Sequence, residues 1–406
     1  MDRQEAVGQG LSMNWPARFA RRTELMQRSA VRELLKVTGR PGMISFAGGL
    51  PAAELFPVEA LEAATQRVFA SRARPALQYG ETEGVPGLRD WIADRFSSAS
   101  NPLTRDHVLI TAGAQQALDL LARVLVNDET PVIVENPTYL AFLSAWRPFG
   151  ARFIPVAVDN DGLQVDQVEA LPESESRLLY TIPDFQNPSG VSLSHERRRQ
   201  LIEVADRRQT LIVEDVAYRA LRFEGDELPS LMDLASGRGS AQVVQLGTFS
   251  KTLAPGLRIG WVLGEPQLID KLVLAKQAAD LHTSTFNQHV VLEAVSSGLL
   301  EEHLPRLKSA YRERCDAMLS SLRDCFPAKA SWTQPTGGLF VFVTLPEGVS
   351  VRKLLAEAIE QNVAFVPGDE FFCDHQGSST LRLNFSHSAP TVIREGIQRL
   401  GALLEK

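Results

Sequence analysis

Short runs rich in valine, isoleucine and leucine recur between His107 and Leu263, and amphipathic helical patterns fill several of the gaps. The runs are His107–Thr111, Pro131–Glu135, Arg152–Val156, Leu178–Pro183, Leu211–Asp215, Val243–Gly247 and Ile259–Leu263. Helical periodicity covers Ala114–Val126, Tyr139–Phe149 and His195–Arg208. Strands that are apolar nearly throughout bury both faces, and helices between them supply the cover. The pattern therefore predicts an α/β fold with a mostly parallel central sheet and helices on both faces. Ligands of such sheets bind beyond the carboxyl ends of the strands.

The pattern changes near Leu300. A long helix is expected over Glu301–Leu322 and a strand over Gly338–Leu345. A helix (Ser350–Asn362), two short strands (Val363–Val366 and Thr380–Asn384) and a final helix (Pro390–Glu405) follow. At roughly 150 residues per domain, 406 residues suggest two or three domains. The division expected is an N-terminal segment (1–56), a large domain (57–299) and a smaller α+β domain (300–406). A helix over Thr23–Thr38 is expected to pack the N-terminal segment against the small domain, and the first dozen residues read as a mobile lead-in.

The net charge of -7 gives no general attraction to nucleic acid or an anionic membrane. No apolar run approaches the roughly 20 residues that span a bilayer. The polar start, Met1-Asp2-Arg3-Gln4-Glu5, lacks the apolar stretch of a secretory signal. Cys315, Cys325 and Cys373 form no C-x-x-C pair and no zinc spacing, so reduced thiols in a cytoplasmic protein are expected. The seven histidines show no metal-ligand spacing, and no metal is expected.

Candidate chemistry lies just past strand ends. Gly113-Ala114-Gln115-Gln116 opens a helix, where backbone N–H groups bind phosphate, although such a turn is also simply a tight connection. Asn187-Pro188-Ser189-Gly190 is first of all a turn signal. Glu214-Asp215 ends an apolar run, with Tyr218 three residues on; an acid there is either functional or a helix cap. The strongest segment is Thr248-Phe249-Ser250-Lys251, followed by Pro255-Gly256-Leu257-Arg258-Ile259-Gly260. Small, apolar and sharply turning surroundings are a poor place for a solvated lysine.

Together these groups match the needs of pyridoxal 5′-phosphate (PLP). PLP requires a lysine amine for its aldehyde, a carboxylate for its pyridine nitrogen and donors for its phosphate. Lys251, Asp215 and the Gly113 turn with Arg258 supply them. An ion pair about 4 Å apart is worth about 4 kcal/mol at an effective dielectric of about 20. Arg258 offers paired donors to phosphate, and Thr248 and Ser250 add hydroxyls. Asn187 and Tyr218 can hydrogen-bond the phenolic oxygen of the ring. Tyr139 can stack on the ring, or be no more than a half-buried helix aromatic.

Over nearly its whole length the chain resembles the fold-type I PLP enzymes, the aspartate aminotransferase superfamily. The lysine segment, Asn187-Pro188-x-Gly190 and Asp215-x-x-Tyr218 carry the resemblance. Ser45-Phe46-Ala47-Gly48-Gly49-Leu50-Pro51, Gln78-Tyr79-Gly80 and Leu381-Arg382-Leu383-Asn384-Phe385-Ser386 are similar to the branch holding 2-aminoadipate aminotransferase and kynurenine aminotransferase II. Ser189 replaces the usual threonine of the Asn-Pro-Thr-Gly motif and keeps the hydroxyl.

The resemblance implies further roles. It makes 57–299 the PLP-binding domain and places the 1–56 segment at the substrate pocket. Arg382 would clamp the substrate α-carboxylate, and Gly49 would line the pocket. Gln115 and Ala114 would sit at the phosphate turn. Tyr79 would reach the PLP phosphate of a neighbouring subunit, which implies a homodimer with shared sites. Arg32 matches an arginine that binds a distal carboxylate, with Arg28 one turn earlier; the same face can also be merely solvated and basic.

The expected activity is transfer of an amino group from an L-amino acid (2-aminoadipate, glutamate, aromatic or branched-chain) to a 2-oxo acid such as 2-oxoglutarate. Lys251 would act as general base. A PLP-dependent decarboxylase, lyase or racemase shares the lysine and aspartate, so those residues do not separate the reactions. A regulator fused to a DNA-binding domain would need a preceding domain, for which Gly48-Gly49 comes early. The sequence contains no G-x-x-x-x-G-K, G-x-S-x-G or H-E-x-x-H.

Overall fold

In the computed structural model the described residues are 13–28, 33–34, 40–175, 177–236, 243–374 and 376–405. The expected lead-in of the first dozen residues lies outside them, as does Arg32.

The apolar runs form the strands β2 (Val108–Thr111), β3 (Pro131–Asn136), β4 (Arg152–Asp159), β6 (Leu178–Thr181), β7 (Leu211–Asp215), β8 (Val243–Thr248) and β9 (Gly260–Leu263). They follow β1 (Ile44–Ser45), and β5 is the short Gly162–Leu163. The resulting eight-stranded sheet has the order β2-β9-β8-β7-β6-β3-β4-β5. Pairings β3/β4, β3/β6, β6/β7 and β7/β8 are parallel. Strand β9 runs antiparallel to both β2 and β8, so those two share the direction of the parallel set. The carboxyl ends of β2, β3, β6, β7 and β8 consequently line one edge, and β9 begins at that same edge.

Every position of β2, β6, β8 and β9 is buried, as two-sided cover requires. One apolar set contains Tyr180, Val213 and Leu246; the other contains Leu179, Ile212 and Trp261. The helices Ala114–Leu125 and His195–Arg208 form where their periodicity places them. The expected helix Tyr139–Phe149 is α-helical over Leu140–Trp146 and becomes a 3-10 turn at Arg147–Phe149, because Pro148 has no N–H for an interior helical bond.

A second sheet, β10-β11-β14-β13, is antiparallel. Its strands are β10 (Ser331–Trp332), β11 (Phe340–Thr344), β13 (Val366–Pro367) and β14 (Thr380–Asn384). The helices Leu299–Cys325 and Pro390–Leu404 pack against each other.

Two expectations change. The single strand Val363–Val366 is split. β12 (Val363–Ala364) pairs in parallel with β1, whereas β13 pairs with β14, and the chain must turn between two partners. The helix expected from Thr23 does not begin there. Arg21–Leu25 is a 3-10 turn, Met26 is extended, and Glu33 and Leu34 are helical.

Candidate active site

Asp215 ends β7 and is 3% exposed. Its Oδ1 accepts the Ala217 amide at 3.1 Å, and its Oδ2 accepts the Tyr180 hydroxyl at 3.0 Å. Among the described residues no cation forms an ion pair with it. Burial pushes its carboxyl up to about 6, against the opposing pull of those donors and of Lys251. Phe142 stacks on Tyr180 with ring centroids 3.7 Å apart and so holds the phenol in place.

Lys251 follows β8 by three residues. Its Nζ donates to the Gly49 carbonyl at 2.8 Å and lies 6.0 Å from the Tyr218 ring centre. Burial, helped by Arg382 and Arg258 and opposed by Asp215, lowers the amine to about 8. Thr248 and Ser250 are buried beside it, their hydroxyl oxygens 2.9 Å apart.

Asn187 and Tyr218 meet: the Asn187 amide donates to the phenol oxygen at 3.2 Å. Burial drives the Tyr218 phenol well above its ordinary value, so it remains an O–H donor. Arg382, on β14, is 3% exposed. It donates to Asn187 Oδ1 at 2.7 Å and to the Ala47 carbonyl at 2.6 Å. Its guanidinium lies 4.3 Å from the Phe340 ring centre and 4.8 Å from that of Phe371. No described carboxylate pairs with it, its Nε has no hydrogen-bond partner, and burial lowers it to about 10.

At the edge formed by β2 and β9, Gly113 (φ +78°) precedes the helix Ala114–Leu125. Arg258 donates to the Ala112 carbonyl at 2.9 Å. A Cβ on Gly113 would stand 2.6 Å from Arg258 Nη2, so the turn and the guanidinium are in contact only because residue 113 is glycine. Helix N–H groups and an exposed arginine thus converge on one corner, a geometry that suits an anion.

The structure brings Lys251, Asp215, Asn187, Tyr218, Arg382 and Gly49 together. Tyr139 is half-buried and electrostatically coupled to Tyr218 and Arg382. Gln115 is exposed and donates to the Ala141 carbonyl at 3.4 Å. Tyr79 is 79% exposed and meets His282 edge-on. Sequence reasoning missed Tyr180 and Glu135. A tyrosine inside a fully buried strand needs a partner for its hydroxyl, which was the available signal. Glu135 is 2% exposed, accepts from Thr181 at 2.6 Å and from Gln186 at 3.0 Å, and is pushed up to about 7 chiefly by burial. Like Asp215, it is an acid near a strand's carboxyl end.

Residues 42–400 match the family described as aminotransferase class I and II. The chain belongs to this family. The 2-aminoadipate transaminase of Thermus thermophilus is 42% identical over 394 residues, covering 97% of this chain and 98% of the relative. The aromatic-amino-acid aminotransferase 1 of Thermococcus litoralis is 40% identical over 405 residues, covering 97% and 96%. A crystal structure of the alpha-aminoadipate aminotransferase of Thermus thermophilus, complexed with N-(5'-phosphopyridoxyl)-L-leucine, superposes with a TM-score of 0.91 at 41% identity, covering 97% of this chain and 98% of that one.

The aminotransferase uses PLP, and its residues fit that cofactor. Asp215 is buried with no ion-pair partner among the described residues, as suits a protonated ring nitrogen. The Gly113–Arg258 corner would lose its shape if a Cβ were added. The aminotransferase's described residues contain no metal-ligating cluster and no helix long and apolar enough to cross a membrane.

Proposed function

We propose that the enzyme moves an amino group between an L-amino acid and 2-oxoglutarate, with Lys251, Asp215 and Arg382 as its working residues. The observation that carries this reading is Arg382: a buried guanidinium with no carboxylate partner among the described residues, held by Asn187 and Ala47 in reach of the lysine environment. A bidentate pair with a substrate α-carboxylate would meet that need.

When bound, PLP takes up amines at its aldehyde and absorbs into its ring the charge that develops at the substrate α-carbon. Asp215 would hold the ring nitrogen protonated. Thr248, Ser250, Arg258 and the amides after Gly113, including Ala114 and Gln115, would hold the phosphate. Asn187 and Tyr218 would hydrogen-bond the phenolic oxygen, and Tyr139 would cover the ring. Lys251 Nζ, lowered to about 8, would take the α-hydrogen as general base at near-neutral pH. Gly49, whose carbonyl already accepts from Lys251, would border the substrate.

The broader reading extends this. The large domain (57–299) would bind PLP, 300–406 would form the small domain, and 1–56 would help close the pocket. Arg32 would read a distal carboxylate on 2-aminoadipate or glutamate; aromatic and branched donors would use the same pocket. Exposed Tyr79 favours a homodimer in which it reaches the other subunit's phosphate. Three unpaired cysteines accord with a cytoplasmic enzyme.

The test is the visible absorbance of the purified protein during titration with amino acids. A band bleached by one amino acid and restored by 2-oxoglutarate, with a 2-oxo acid as product, is the expected result. Carbon dioxide or ammonia as product would instead indicate decarboxylation or elimination. The Lys251→Ala variant should fold and not turn over; wild-type turnover would overturn its role.

A further inference from the structure

Strands β3 and β6 are parallel neighbours, so their carboxyl ends deliver two turns side by side. The first leads through Pro137 to Tyr139, the second through Gln186 to Asn187. The Asn187 side chain is spent on the site: it donates to the Tyr218 oxygen and accepts from Arg382. Neither contact holds the backbone that aims it. That backbone is held by its neighbour, the buried Gln186.

Every polar atom of Gln186 is used. Nε2 donates to Glu135 Oε2 at 3.0 Å and to the Pro137 carbonyl at 2.7 Å, which takes both of its hydrogens. Oε1 accepts the Ser189 amide at 2.8 Å. The backbone amide of Gln186 donates to the Val191 carbonyl at 2.8 Å, and its carbonyl accepts the Gly190 amide at 2.6 Å. One side chain thus ties the residues before and after Asn187 to the end of β3. Exchanging its nitrogen and oxygen would turn a carbonyl toward the Glu135 carboxylate, so the tie has a single orientation.

The anchor is a buried acid. Glu135 has no ion-pair partner among the described residues. Its Oε1 accepts the Thr181 hydroxyl at 2.6 Å, and its Oε2 accepts the Ile182 amide at 3.3 Å beside Gln186. Burial pushes its carboxyl up to about 7, against the pull of those donors. An apolar residue would avoid that cost, but it would leave the Gln186 amide without an acceptor fixed on a strand.

We propose that Gln186, anchored on Glu135 and Pro137, is a positioning residue that aims Asn187 at the phenolic oxygen of the cofactor. The proposal rests on the reading of Asn187 given above. It acts through Asn187 alone, and Gln186 itself touches no reacting group.

The test is the pH midpoint of the visible absorbance of bound PLP in the holoenzyme. That midpoint marks loss of a proton from the lysine nitrogen beside the phenolic oxygen. Once the proton has gone, the charge on the oxygen depends on its donors, so loss of one hydrogen bond should raise the midpoint by about one pH unit. Asn187→Ala should show the full rise. Gln186→Met, which keeps the length and loses the ties, should show most of it. Combining the two should raise the midpoint no further than Asn187→Ala alone, because a residue that acts through another is silent without it. Glu135→Gln keeps an acceptor oxygen for Gln186, and its new N–H can donate to the Thr181 hydroxyl, so its midpoint should stay close to that of wild type. If Gln186→Met fails to fold, Gln186→Asn decides: the same amide, one methylene shorter, loses its reach to Glu135 and Pro137. A lower melting temperature with an unmoved midpoint in the Gln186 variants would make the residue structural only. A midpoint that falls in Glu135→Gln, as loss of a nearby negative charge would cause, and stays put in the Gln186 variants would assign the effect to the charge of Glu135. A double variant whose shifts add would route the effect past Asn187. Each of these results overturns the proposal. An unmoved midpoint in Asn187→Ala would instead overturn the reading of Asn187, and the proposal with it.

Discussion

Replacing Arg382 by methionine separates a carboxylate clamp from a structural arginine. Burial lowers this guanidinium from 12.5 to about 10, which at 1.36 kcal/mol per pKa unit corresponds to a burial cost on the order of 3 kcal/mol. Methionine removes that cost and keeps the packing between Phe340 and Phe371. It also leaves Asn187 Oδ1 and the Ala47 carbonyl without their donor, at about 1–2 kcal/mol each. The opposing effects nearly cancel, so the melting temperature of the ligand-free variant should move by only a few degrees. Activity should not be spared. A substrate carboxylate that loses a charge-assisted bidentate partner in a dry site forfeits about 3–5 kcal/mol, or a few hundred- to a few thousand-fold in kcat/KM. The assay is steady-state transamination of one amino acid beside the corresponding amine that lacks the carboxylate. Wild type should discriminate strongly between them, and the variant should not. A loss below about tenfold in kcat/KM, with that discrimination intact, would refute the clamp.

Asp215→Asn tests the ring-nitrogen contact. An acid raised from 3.8 to about 6 on folding makes the folded chain hold more protons than the unfolded one in that window, so it removes stability as pH rises through it, by up to about 3 kcal/mol. The apo variant should therefore melt above apo wild type at pH 7, with the gap closing at acid pH, while turnover falls at least about a hundredfold for loss of a preorganised charge. Uptake of PLP by the apo chain needs the neutral Lys251 amine. With that amine near 8, the rate should rise about tenfold per pH unit below that value and level off above it; a rate still climbing steeply past pH 9 would show an ordinary lysine. Gly113→Ala forces a Cβ into a residue at φ +78° beside Arg258, a strain of about 1–3 kcal/mol. Calorimetry and dialysis should show a less stable chain that loses PLP faster.

Much of this was legible in the sequence because the sheet is buried on both faces. Continuous apolar runs announced β7 to the residue, and the ends of β2, β3, β6 and β8 to within two. The Lys251 segment could be read because its chemistry is contiguous. What escaped depends on distant partners. The two-residue β1 exists only through its pairing with Val363–Ala364. Tyr180 looked like one more apolar strand residue until the register set it beside Val213, two residues before Asp215 on the same face. Glu135 carried the same strand-end signal as Glu214 and Asp215, but without a motif around it to give it weight. The antiparallel course of β9 also leaves no trace in local composition, since its run is as apolar as its parallel neighbours.

Burial alone does not mark the candidate site; the choice of partners does. Arg198 is 0% and Asp184 2% exposed, so this ion pair is buried as deeply as any group near Lys251. Its needs are met within the chain. Arg198 donates to both oxygens of Asp184 and to the carbonyls of Pro183, Leu193 and Pro229, and Arg222 adds a further donor to Asp184. Such a pair is an internal tie, here holding the start of the Asn187 turn. Arg382 and Asp215 are as sheltered, Lys251 is half-buried, and all three are differently served: each is moved by burial toward its neutral form, and none has a bonded counter-charge among the described residues. A chain shaped for stability alone would pair them or replace them with apolar residues. They are tolerable if a substrate carboxylate, a pyridinium and an aldehyde supply what the chain withholds.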